Sequence, residues 1–195
     1  MNLDGWLVWD LECSMNPEGS VRGSFYKRAK NLLCIAAHDL GTGENTLYAE
    51  DTLEEGVEAI LNAPRLVGHN IRGFDIPALG HMRPDINKEL RRVPLSDTRW
   101  MCLKSDKSPH GLLTYDQLNK LDKKLGVSPD FPNSLDAWGQ RFKFPKQKIG
   151  GEDRNGFWQT ATYTDEIGAY CMRDVEVNVK LFHWIMKRKG VQIKK

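Results

Sequence analysis

The sequence predicts an α/β layer fold around a mixed sheet, on three observations. Strand-like and helix-like segments follow one another in the order β-β-β-α-β-α as far as Met82. The opening run, Trp6 to Glu12, is apolar on both faces until its end, as a strand covered on both sides must be. The last element opens after Thr164 and runs to about Lys189 with an apolar stripe at helical spacing. At a prior of about 150 residues per domain, the stretch 1–195 is expected to fold as a single unit.

Each element has a local signature. Asn31 to His38 is a second apolar run, and Gly41-Thr42-Gly43 turns it into Asn45 to Ala49, so the pair reads as a hairpin. Thr52 with Glu55 three residues on is a capping-box pattern, opening a helix through Val57, Ile60 and Leu61 that stops near Pro64. Arg65 to His69 reads as a short strand, and Phe74 to Met82 as a helix after a glycine-containing turn. Periodicity blurs from Lys104 to Asn133, where a short helix is expected around Tyr115 to Leu125. Ser134 caps a helix carrying Leu135, Ala137, Trp138 and Phe142, and Lys143 to Gly156 reads as an exposed loop. The final helix places Ile167, Cys171, Val175, Val179, Phe182 and Met186 on one stripe. Asp165 and Glu166 at its start and Lys187 to Lys189 at its end suit its dipole.

Composition excludes several classes. Forty per cent hydrophobic and 28% charged residues rule out a disordered or collagen-like chain. A net charge of +2 neither demands nor excludes nucleic acid, since a basic groove can hide within a neutral total. No run approaches the roughly 18 apolar residues of a membrane span, and the N-terminal stretch lacks the basic start of a signal peptide. A cytoplasmic protein is therefore expected. Cys13, Cys34, Cys102 and Cys171 show no metal-ligand spacing and read as buried free thiols.

Three segments bear carboxylates in informative places. Asp10 and Glu12 end the opening strand and point to one face, about 7 Å apart at their backbones. Two anions that close repel unless a cation sits between them, although an ordinary strand-end pair would read the same way. A second Asp-x-Glu, Asp174 and Glu176, falls on a helix, where i and i+2 diverge. Asp75 follows Gly68-His-Asn-Ile-Arg-Gly-Phe at the start of a helix, a place that capping and the helix dipole alone also favour. Tyr170 and Asp174 share a face of the final helix, continued by Val177 and Leu181. An Asp on such a stripe is costly without a partner. Taken together, four carboxylates from two sheet ends and one packed helix form an oxygen nest suited to two Mg²⁺ or Mn²⁺ ions and to phosphodiester hydrolysis.

In order and spacing, WDLE (Asp10, Glu12), HNIRGFD (Asp75) and YCMRD (Tyr170, Asp174) resemble the DEDD group of 3′–5′ exonucleases, the DnaQ-like branch of the ribonuclease H-like superfamily. The Tyr-x-x-x-Asp spacing is similar to the tyrosine subgroup, DEDDy; the histidine subgroup would have His where this chain has Ala169. His69 to Leu79, Asp97-Thr98 and Ser134 to Arg141 further resemble the proofreading domain of podovirus-type family A DNA polymerases.

The resemblance implies a three-layer ribonuclease H-like fold, with a mixed sheet flanked by helices. It also implies an exonuclease that trims 3′ ends of DNA, preferably single-stranded, to nucleoside 5′-monophosphates with two divalent cations. On it, Asp10 bridges both cations, Glu12 and Asp174 complete one of them, Asp75 holds the other, and Tyr170 orients the nucleophile. Met15, Asn70 and Phe74 are expected to touch the terminal nucleotides, and Arg154 and Trp158 the strand, though a solvated loop with a packed Trp fits the last two equally well. The chain stops soon after the third segment, so a free-standing enzyme is expected, with a separate DNA polymerase or replication protein as a candidate partner and, if phage-encoded, the host cytoplasm as its location. RNA is the alternative substrate, and a non-catalytic strand-end or polymerase-binding module the alternative function.

Overall fold

The computed structural model describes residues 2–16, 24–101, 134–143, 158 and 162–191. Five strands form the sheet: β1 (Trp6–Met15), β2 (Ala29–Asp39), β3 (Asn45–Ala49), β4 (Arg65–Gly68) and β5 (Leu95–Asp97). Their order across the sheet is β3-β2-β1-β4-β5. β1 to β3 pair antiparallel, while β4 and β5 run parallel to β1, so the sheet is mixed as expected. The helices are α1 (Leu53–Asn62), α2 (Asp75–Met82), α3 (Asn87–Leu90), α4 (Thr98–Met101), α5 (Leu135–Arg141) and α6 (Asp165–Arg188).

β1 lies at the centre because it is apolar on both faces. Trp9, Leu11, Cys13 and Met15 point into one layer with Val57 and Ile60 of α1 and Ile76 and Leu79 of α2. Val8 points the other way, among Cys171, Val175 and Phe182 of α6 and Trp138 of α5. Strand alternation then places Asp10 and Glu12 on the α6 side. The ladder with β2 is irregular where the acids stand: Glu12 pairs with Cys34 but Cys13 with Leu32, so Leu33 is skipped. Such a bulge raises the local twist and re-aims the side chains beside it.

Most expected elements are present, with physical reasons for the differences. β1 runs on to Met15, past the predicted end at Glu12. β5 has only three residues, too few to show a period, and had no sequence signal of its own. Thr52 precedes α1 without capping it: its hydroxyl accepts from the Ala49 N–H (2.9 Å) and donates to the Ala49 carbonyl (2.8 Å). The expected capping box therefore closes a tight turn before the helix. Ser134 and Thr164 do cap α5 and α6, accepting from the N–H groups of Ala137 and Ile167. Each such cap is worth about 1 kcal/mol. Cys13, Cys34 and Cys171 are free thiols, as expected. The helix expected at 115–125, the loop after Lys143, Arg154 and Cys102 lie outside the described residues. Among those described, no helix is long and apolar enough to cross a membrane.

Candidate active site

The acidic residues collect where β1 meets α6. One oxygen each from Asp10 and Glu12 and the Sγ of Cys171 all lie within 4.8 Å of one another. The Cys171 thiol lies 3.5 Å from the Asp10 carbonyl and 3.7 Å from its Oδ2. Burial, reinforced by Cys34 and by the negative charge of Asp10 and Glu12, raises the Cys171 thiol well above its usual range. In the metal-free protein it is a weak hydrogen-bond donor beside Asp10.

Glu12 has a fixed orientation. Its Oε2 accepts the indole N–H of Trp158 at 2.6 Å, and both side chains are buried. Trp158 arrives there because β4 pairs with β1 only from Trp6 to Val8. Beyond Val8, among the described residues, Trp158 bridges Ser14 on β1 in parallel. The indole also stands edge-on to the Tyr170 ring, 5.7 Å between centroids at 89°. One buried tryptophan thus holds both the second carboxylate and the tyrosine.

Tyr170 and Asp174, one turn apart on α6, are both buried. Asp75 begins α2 and is 4% exposed. Burial pushes its carboxyl up to about 7. Hydrogen bonds from its own backbone and from Leu11 oppose that shift, and the charges of Asp97 and Asp174 add to it. The Cys13 thiol is likewise raised by burial and then by Glu12, Asp75 and Asp10. Asp174 thus acts on Asp75, and Asp10, Glu12 and Asp75 act together on Cys13. Asp10 and Glu12 belong to the compact set; Asp75 and Asp174 stand outside it.

A further aspartate, Asp97 at the end of β5, was noted in the sequence only as part of a resemblance. It is 2% exposed and accepts the backbone N–H groups of Asn70 (2.9 Å), Arg72 (3.1 Å) and Arg99 (3.1 Å). Three such bonds to a carboxylate organise the turn leading into Asp75. The turn needs this support, because Asn70 sits in the left-handed region at φ 64°. Burial nevertheless raises the Asp97 carboxyl above its ordinary value. Next to it, the Thr98 hydroxyl lies within hydrogen-bond distance of the Gly68 carbonyl (3.1 Å), Asn178 Oδ1 on α6 (2.8 Å) and His69 Nδ1 (3.1 Å). Asn178 is one turn beyond Asp174, so this node ties the helix bearing Asp174 to the strand end that leads to Asp75.

The residues expected to contact substrate are distributed as follows. Asn70 Oδ1 accepts from Arg99 Nη1 at 2.6 Å. Phe74 is half-buried against Phe25, 5.8 Å between centroids. Met15 is buried in the α2-side layer, its sulfur 3.7 Å from Cys13 Sγ. Trp158 is buried under Glu12 rather than displayed on the surface. Phe25, 44% exposed, carried no signal in the sequence because its partner Phe74 is remote along the chain.

The donor chemistry fits hard divalent cations. Buried carboxylates that raise one another's proton affinity lower their energy by taking up a divalent cation.

No protein-family model and no curated protein matches the chain. Solved structures do. The family B DNA polymerase of the hyperthermophilic archaeon Pyrobaculum calidifontis superposes with a TM-score of 0.54 at 18% identity, over 93% of this chain and 24% of the polymerase. NrnC of Brucella melitensis, bound to pGG, gives 0.52 at 14%, over 96% of this chain and 76% of that one. The catalytic core of RRP6 from Trypanosoma brucei gives 0.53 at 13%, over 96% and 42%. The chain has the ribonuclease H-like fold. It spans about a quarter of the polymerase and less than half of the RRP6 core.

Proposed function

We propose that this domain is a metal-dependent 3′–5′ exonuclease of the DEDDy type, acting on single-stranded DNA ends and releasing nucleoside 5′-monophosphates. What supports the reading is the close pair Asp10 and Glu12 where β1 meets α6, the mutual influence of buried Asp75 and Asp174, and Tyr170 one turn before Asp174 on α6. Asp10, Glu12 and Asp174 would hold one divalent cation, and Asp10 with Asp75 a second. When bound, the pair supplies a water nucleophile at neutral pH and charge stabilisation for the departing 3′ oxygen. The chain's own part is positional. Trp158 fixes the Glu12 carboxylate and the Tyr170 ring, Tyr170 orients the attacking water through its hydroxyl, and Asp97 shapes the turn that presents Asp75. With an ordinary pKa near ~10, a tyrosine hydroxyl suits orientation better than proton abstraction.

The likeness to podovirus-type proofreading domains rests on the motifs quoted above, and a separate polymerase or replication protein is the partner they suggest. The test is digestion of a 5′-labelled single-stranded DNA and its RNA equivalent with Mg²⁺, Mn²⁺ or EDTA, alongside Asp10→Ala. We expect a metal-dependent ladder from the 3′ end, faster on DNA and absent in the variant. A faster ladder on RNA would make the domain an exoribonuclease. No ladder on either strand, from folded protein that binds oligonucleotide without metal, would make it a binding module.

A further inference from the structure

We infer that a basic track along α2 and α3, leading away from Asp75, carries the phosphates of a single-stranded polynucleotide upstream of its 3′ end. This rests on the exonuclease reading and adds where the rest of the strand lies. Two adjoining cavities, of about 240 and 460 Å³, share Asn87 and Arg91 in their walls. The first begins at Ile76 and Pro77, immediately after Asp75, and is lined by Lys27, His81 and Arg91; the second adds Lys88 and Arg92. Among the described residues, no Asp or Glu lines either cavity. Arg83 pairs with Glu54 and Asp85, at 2.7 and 2.9 Å, and Glu89 stands exposed on α3, yet Lys27, Lys88, Arg91 and Arg92 outnumber the acids left over and keep the track positive. The floor between the helices is close-packed: a Cβ on Gly80 would come within 2.5 Å of Asn87 Oδ1.

Aromatic rings join this track to the acidic site. Phe25, the one large apolar side chain exposed among the described residues, stacks at a tilt on Phe74, which precedes Asp75. The Arg28 guanidinium lies 5.4 Å from its ring centroid. Tyr26, next in the chain, lines the first cavity. An exposed ring followed by a file of cations is the chemistry that binds single strands, by base stacking and phosphate contact. Two cavities in series suit a strand of several nucleotides better than one mononucleotide. Nothing in the track singles out a 2′-hydroxyl, so DNA and RNA should use it alike.

The test uses the full chain carrying Asp10→Ala, so that the strand is not cut. Binding of fluorescent dT3 and dT12 is measured across a salt series, with and without Lys88→Glu/Arg92→Glu, and separately with Phe25→Ala. The parent should bind dT12 at least 10-fold more tightly than dT3. The double variant should lose that advantage while binding dT3 unchanged, and its log K against log salt slope for dT12 should fall by about 1.4 for two lost phosphate contacts. Phe25→Ala should weaken dT12 by roughly 10-fold through lost stacking. Both substituted cations and the ring are at the surface, and circular dichroism checks the fold of each variant. Equal affinity for the two lengths in the parent, or an unchanged ratio and slope in the double variant, overturns the track. Failure of the unsubstituted chain, with Asp10 intact, to cut any strand would instead overturn the exonuclease reading, while the length dependence of binding still decides the track.

Discussion

At its start β4 buries the guanidinium of Arg65; at its end, three residues on, it delivers the chain into a cluster of buried carboxylates. Arg65 is fully buried, yet its partners come from the fold: Nη1 donates to the Leu95 carbonyl (3.1 Å) and the Ser96 hydroxyl, and the Trp6 ring lies 4.8 Å away. Burial lowers its pKa only to about 10, so it remains a cation at neutral pH. At the far end, Asp75 is buried near two groups of its own sign, Asp97 and Asp174, which both make its ionisation harder. A buried charge whose neighbours are complementary belongs to the scaffold. Buried like charges call for a proton or a cation from solution, which supports the proposal that cations bind at the carboxylate end.

The largest effect should come from Asp75→Asn. Hydrolysis of a labelled oligonucleotide should fall by at least about 1,000-fold, roughly 4 kcal/mol of transition-state stabilisation. The metal-free protein at pH 8 should meanwhile melt higher, because one buried negative charge is gone. A variant that melts lower and still cuts would reverse the contrast. Arg65→Met should do the opposite, destabilising the fold by about 3 kcal/mol because the Leu95 carbonyl and Ser96 hydroxyl lose their donor. Rates per folded molecule should hold, as read by denaturant unfolding beside an activity assay.

Trp158→Phe keeps the ring against Tyr170 but removes the N–H from Glu12. Loss of such a partner should weaken Mn²⁺ binding by about 10–100-fold, measurable by calorimetry. Unchanged affinity would mean that Trp158 only packs. pH sharpens the same contrast. Asp75 has a folded pKa of about 7 against an ordinary 3.8, so between those values the folded state holds the extra proton. Metal-free stability should therefore fall as pH rises from about 4 to about 7 and then level off. Because protons and cations compete for the carboxylate, the melting-temperature gain from Mn²⁺ should grow over the same window. Thr98→Val, which removes the hydroxyl between Gly68 and Asn178, should have the smallest effect, about 1 kcal/mol of stability by thermal melting.

Legibility in the sequence followed the range of the interactions. α6 was readable because Ile167, Cys171 and Val175 repeat at helical spacing and Thr164 caps the start, all within a few turns. The β2–β3 hairpin was readable from Gly41 and Gly43 between two apolar runs. Thr52 misled because the same hydroxyl can cap a helix or close the turn before it, and only the geometry at Ala49 chooses. β5 was invisible at three residues. Asp97 had no signal of its own beyond the resemblance, since two of its three backbone partners lie 25 and 27 residues earlier.

The sequence by itself determined the apolar core of β1, the order of the main elements, and the presence of Asp10, Glu12, Asp75, Tyr170 and Asp174 at the ends or on the buried face of those elements. Such features are local, written in periods of two and 3.6 residues and in the cap and turn residues between them. Only the tertiary structure decided that Trp158 reaches Glu12 across 146 residues of chain, that Cys171 sits beside Asp10, and that Asp97 rather than a glycine alone holds the turn before Asp75. The reason is physical: these contacts exist because parallel pairing of β4 stops at Val8 and α6 packs across the sheet, and no local pattern encodes where two distant segments will meet.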